Sequence, residues 1–201
     1  MKRLICALMA ALLLLSALPA MAAGWEPGDT FTLGKWSMSG DKEPIRWTVI
    51  HVVEKGVFML AMADEPVAYF PYHNEEGVKS WEHSSLRAWL NGDFKQGAFT
   101  QKEQKLLQRL MVENTPFTDD PDAGKDTLDY VYVLSSGEVG VYLPDADLSI
   151  GTDWWLRDHG TDGAHSVYVD AEGLIVLEGA PLTEYKAVRP VIILMTSAIK
   201  K

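Results

Sequence analysis

Apolar positions dominate residues 45–53, a stretch rich in β-branched side chains with Trp47 at its centre, and this pattern predicts a strand. Glu54-Lys55-Gly56 follows as a turn in which the glycine is free to take positive φ, and residues 57–62 return as a second strand, so the pair reads as a hairpin. A shorter opening strand is predicted around residues 31–33, with turns marked by Pro27, Gly28 and Gly34. From 64 to 80, Tyr69, Phe70, Tyr72 and His73 are mixed with Pro66, Pro71, Asn74 and Gly77, which predicts an ordered, aromatic-bearing loop.

Apolar positions then recur three to four residues apart. Residues 85–91 place Leu86, Trp89 and Leu90 on one helical face, with Ser84 as cap and Asn91-Gly92 as terminator. A second helix is predicted from Thr100, whose hydroxyl and Glu103 form a capping box, with Leu106, Leu107, Leu110 and Met111 as its buried stripe. Residues 114–129 are an aspartate-rich loop containing Pro116, Pro121 and Gly124. A short buried strand at 130–134 leads into a second capping box, Ser135 with Glu138, and a single-turn helix that ends before Leu143-Pro144. Beyond the acidic loop 145–153 only strands are predicted: 154–157, 166–169, 174–177 after the turn 170–173, and 188–195. No βαβ alternation is present. The expected class is α+β, mainly antiparallel sheets with two inserted helices.

The first residues change the picture of where this domain works. Lys2 and Arg3 precede an apolar run from 4 to 18, and Pro19-Ala20-Met21-Ala22 offers a small-residue cleavage site, so residues 1–22 are read as a signal peptide and 23–201 as one globular domain. The run is shorter than the roughly 20 residues that span a bilayer, so no membrane span is expected after cleavage. The expected location is secreted or extracytoplasmic, at the cell envelope. The one cysteine, Cys6, lies in the leader, which removes disulfides, thiolate metal sites and a cysteine nucleophile from the mature chain. Loss of Lys2 and Arg3 leaves 16 basic against 28 acidic residues, a net charge of −12. A surface of that sign repels nucleic acid and anionic lipid.

Trp81, Ser84, Leu86, Arg87, Trp89, Leu90 and Asn91, followed by Phe94, Phe99 and Glu103, resemble a bacterial family known as domain of unknown function 6273. Its later blocks are matched in order by Val133-Leu134-Ser135 with Glu138, by Trp154-Trp155-Leu156-Arg157, by Gly173 and by Val188-Arg189-Pro190-Val191. The strand-rich ending is similar to the second half of C-type-lectin-like and formylglycine-generating-enzyme-like domains, and this resemblance implies a C-type-lectin-like arrangement. The enzymes of that group rely on cysteine, which the mature chain lacks. The calcium-dependent lectins carry Glu-Pro-Asn or Gln-Pro-Asp and Trp-Asn-Asp motifs, and Glu65-Pro66-Val67 is the nearest approach here.

Among candidate chemistries, Trp154-Trp155-Leu156-Arg157-Asp158-His159 stands out, because alternation on a strand would turn one tryptophan inward and leave the other beside a charged triplet. An outward ring next to Arg157, Asp158 and His159 could stack a sugar and bond its hydroxyls. Arg87 and Arg189 sit in apolar frames and are read as structural ion pairs, at least one of them partly buried. The histidines form no metalloprotease pair and no Gly-x-Ser-x-Gly elbow exists, although His159 and His165 flank a glycine-bearing loop with Asp158 and Asp162. Asp119, Asp120, Asp122 and Asp126, and separately Asp145, Asp147 and Asp153, could offer oxygens to calcium, without the spacing of an EF-hand. No other cofactor is implied and no catalytic residue is assigned. The expected function is a binding or interaction module for a glycan or a protein at the cell surface. The alternatives are an extracytoplasmic hydrolase using acidic residues and a purely structural extracellular domain.

Overall fold

The computed structural model describes residues 24–53, 56–77, 79–114 and 124–201. The expected leader at 1–22, the turn residues Glu54 and Lys55, and Asp119, Asp120 and Asp122 lie outside the described residues.

The chain opens with β1 (Thr30–Trp36), β2 (Glu43–Val53), β3 (Phe58–Ala63) and β4 (Ala68–Pro71). In β2 the residues Ile45, Trp47 and Val49 are buried while Arg46 is exposed and Thr48 half-buried, the period-two pattern of a strand with one face on the core. Between Val49 and His51 the register against β3 shifts by one, and this bulge lets Ile50 turn into the core as well. The segment read as an aromatic loop thus contains a strand, β4, which pairs with a distant partner near the C-terminus.

The first helical region is longer than Asn91-Gly92 would allow. Helix α1 (Ser85–Trp89) widens into a π-helical turn (Leu90–Phe94) and continues as α2 (Lys95–Ala98). The Asn91 side chain holds the widened turn in place. Its amide donates to Val131 O at 2.8 Å, and its carbonyl oxygen accepts from Tyr130 N at 2.9 Å, so a helix-stop residue becomes a bracket to the neighbouring strand.

The second predicted helix is corrected more sharply. Thr100 and Glu103 do form the capping box, but α3 is one turn, Gln101–Gln104. Leu107 then bridges to Leu194, Gln108 N donates to Ile193 O, and residues 110–112 extend as β5 (Leu110–Val112). Leu107 is buried, Leu106 and Leu110 are half-buried and Met111 is exposed, so the four do not share one face. Backbone pairing with the C-terminal strand overrides the helical spacing.

Next come β6 (Thr127–Asp129) and β7 (Val131–Tyr132), the capped helix α4 (Ser136–Tyr142), then β8 (Trp154–His159), β9 (His165–Val169), β10 (Ile175–Pro181), β11 (Tyr185–Val188) and β12 (Val191–Met195). The strands form two five-stranded sheets, in the orders β1-β2-β3-β12-β7 and β10-β9-β8-β11-β4, and a small β5-β6 sheet. Among the described residues all strand pairings are antiparallel except a single parallel contact of Ala187 with Trp154. The domain is α+β.

What was read as one strand at 188–195 is two. Pro190, lacking an amide hydrogen, interrupts the ladder, and the chain passes from one large sheet to the other. The same change occurs between β3 and β4. Ala63 N donates to Pro190 O and Val67 N to Val188 O, both at 2.9 Å, so β3–β4 and β11–β12 form one bent ribbon shared by the two sheets. Helix α4 lies against β8, and that contact positions the cleft described next.

Candidate functional site

A cleft of about 680 Å³ opens between α4, β5 and the end of β8, lined by Leu110, Met111, Glu113, Glu138, Val141 and Tyr142 together with Arg157 and Asp158. Its floor follows from the start of α4. Ser135 accepts from Glu138 N, and Glu138 returns a carboxylate oxygen to Ser135 N at 2.9 Å, the reciprocal cap. That same oxygen takes the Arg157 guanidinium, whose other donors reach Val133 O at 3.3 Å and Glu113 O at 3.1 Å. Arg157 is only 5% exposed. Burial works against its charge, yet the Glu138 carboxylate outweighs burial and holds its pKa above the ordinary value.

Asp158 accepts from Ser136 N, so the strand residue following Arg157 also grips the first turn of α4. Burial pushes the Asp158 carboxyl above the usual range, and the Ser136 hydrogen bonds and the Arg157 charge offset that only in part. The two acids on the cleft floor therefore differ. Glu138 is held by a guanidinium, and Asp158 is biased toward its neutral form. Tyr142 closes one side, its ring stacked on His51 with centroids 4.9 Å apart. The rim is apolar and open: Met111 is 55% and Val141 70% exposed.

The expected outward tryptophan is not found. Trp154 and Trp155 are both 0% exposed, because β8 is the middle strand of its sheet and is covered on both faces. The Trp154 indole donates to Leu148 O and lies under the Arg189 guanidinium at 5.1 Å. The Trp155 indole donates to Phe70 O, and its ring packs edge-on against Tyr72 and Tyr168. Neither ring can stack a sugar. His159 is half-buried, with Nε2 2.9 Å from Lys79 O, and is not among the cleft residues. Of the five residues singled out at this strand, the structure brings Arg157 and Asp158 into the cleft.

Arg87 pairs with Asp129, at 2.7 Å through Nη2, and the fully buried Asp129 carboxylate also accepts from the Trp81 indole and Thr127 hydroxyl. Arg189 takes another course: it forms no ion pair among the described residues, and its Nε donates to Ala63 O at the bend of the shared ribbon. Burial lowers its pKa, and Asp64 and Glu65 offset this in part. Among the acids read as calcium oxygens, Asp153 pairs with Lys186, Asp147 accepts from Ser149 N and Asp126 from Asn114 N. Among the described residues no group of three or more His, Cys, Asp or Glu side chains is placed to hold a metal.

Sequence reasoning missed Met111, Val141, Tyr142 and the role of Glu138. The Ser135…Glu138 spacing signalled a helix start, but it gave no sign that the capping carboxylate would also receive an arginine from a strand 19 positions later.

Compared with known proteins, residues 56–151 match the family described as domain of unknown function (DUF6273). No curated protein and no solved structure matches the chain.

Proposed function

We propose that the protein is an exported binding module, and that its ligand is a small amphipathic molecule or side chain with a hydrogen-bond-donating head, held in the cleft between α4 and β8. The observation that carries this reading is the cleft itself. Exposed apolar side chains, Met111 and Val141, rim a floor whose carboxylates belong to Glu138 and Asp158. The volume falls in the range of about 300–1,000 Å³ usual for small-ligand sites. Arg157 is already held by Glu138 and two backbone carbonyls, so the floor favours a donor over an anion. The resemblance of the strand-rich ending to C-type-lectin-like domains supports a binding role by analogy alone, as a mixed domain whose strand ends and loops carry a binding surface.

Ligand-observed NMR with hexylamine and hexanoate tests this. Hexylamine is expected to bind and hexanoate not, with Met111→Ser and Val141→Ser each weakening binding at least about fivefold through loss of the apolar rim. Hexylamine affinity is expected to rise as pH passes upward through the elevated Asp158 pKa, and Asp158→Asn should remove that rise. Equal binding of the two probes would remove the reading. Export is tested separately: the product recovered outside the cytoplasm should begin at Ala23, and an intact Met1 there would count against the leader.

A further inference from the structure

A second depression of about 490 Å³ lies at the loop end of the β1–β2 hairpin, walled by Trp36, Met38, Ile45 and Val67. Its tryptophan differs from most others in the chain. Of the seven tryptophans, Trp25, Trp47, Trp81, Trp154 and Trp155 each donate the indole N–H to an acceptor within the protein. Among the described residues no acceptor meets the indole N–H of Trp36 or Trp89. These two are also the half-buried pair, edge to face with centroids 5.9 Å apart.

The polar groups around Trp36 are mixed. Glu43 is its direct cross-strand partner. Asp41, Glu43 and Glu65 line the groove as acceptors and form no ion pair among the described residues. Arg46 lines it as a donor, its Nε spent on Asp64, and Lys42 lies over the Trp36 ring at 5.7 Å. A groove of one sign would select an ion. Acceptors and donors interleaved beside a half-open aromatic suit a neutral ligand that has both kinds of hydrogen-bonding group and an apolar ring face.

The geometry points to a carbohydrate-binding site in this groove, with a sugar ring against Trp36 and its hydroxyls shared between Glu43, Asp41 and Arg46. This places sugar recognition on the first hairpin, away from the buried Trp154 and Trp155, and it does not depend on the cleft at α4.

The test is titration of the mature protein, with its tryptophan indoles ¹⁵N-labelled, against cellohexaose and chitohexaose, with tetralysine as the cationic control. At least one hexaose is expected to move the Trp36 and Trp89 indole signals and leave the other five in place. The double substitution Asp41→Asn with Glu43→Gln, at two exposed positions that form no ion pair among the described residues, should weaken that hexaose at least about tenfold while leaving the spectrum folded. Trp36→Phe, which keeps an aromatic against Trp89 and Phe94, should remove one indole signal and reduce affinity. No movement of the Trp36 signal with either hexaose at millimolar concentration overturns the proposal. So does a double variant that binds as tightly as the parent, or a response to tetralysine alone.

Discussion

Arg157 is nearly inaccessible, and its charge is tolerable only because Glu138 and two carbonyl oxygens surround it. Removing Glu138 leaves the Arg157 guanidinium buried and uncompensated, at a cost of about 3–5 kcal/mol, whereas Glu138 itself is only partly buried. Urea unfolding of Glu138→Gln should show a loss of that size. The double variant with Arg157→Met should recover more than half of it, since the stranded charge is then gone. Recovery of nothing would mean that packing dominates. The neighbouring Asp158 makes a pH-dependent contribution of opposite sense to that of a salt-bridged acid. Its pKa is higher folded than unfolded, so the native state binds the extra proton, and its contribution is full below the ordinary aspartate value and lost as pH rises through the elevated one. The stability difference between Asp158→Asn and the parent should therefore shift in favour of the variant across that interval, read from paired thermal melts. A flat difference would place the carboxyl in water.

At the scale of elements, the hairpin of β2 and β3 and both capping boxes were legible because each rests on local chemistry: β-branched residues around Trp47 ahead of a glycine-bearing turn, and a hydroxyl three residues before a glutamate. The failures share a different cause. Asn91-Gly92 would end an isolated helix, and residues 106–111 have helical spacing, but in both places the backbone groups of a distant strand offered better partners. The doubly buried β8 was misread for a related reason, since alternation implies an open face only where nothing covers the sheet. Glu138 was visible as a cap but not as the receiver of Arg157, a contact that only the packing of α4 on β8 creates. The Asn91 bracket gives this a measurable form. Asn91→Ala strips Tyr130 N and Val131 O of their partners at the edge of the core, which should cost about 1–3 kcal/mol by chemical denaturation. A loss within a few tenths of zero would show that the π-turn stands without it.

Across the whole molecule, the two large sheets are joined by the bent ribbon, so the N-terminal and C-terminal portions of the chain complete each other. The stretch that matches the DUF6273 family, residues 56–151, contains β3, β4 and β7 but none of their partner strands β2, β11 and β12. It also contains Glu138 without Arg157 and Ser136 without Asp158. In isolation β3 would expose both edges and both apolar faces, and α4 would lose the strand against which it packs. A polypeptide of residues 56–151 is thus expected to lack a cooperative thermal transition and to give a collapsed, poorly dispersed amide NMR spectrum. One of residues 24–201 should show both a sharp transition and wide dispersion. Mixing the fragment with a second polypeptide of residues 152–201 should restore some dispersion by re-forming the β3–β12 and β4–β11 pairs, and a 56–151 fragment that folds alone would show that the ribbon is not what unites the fold.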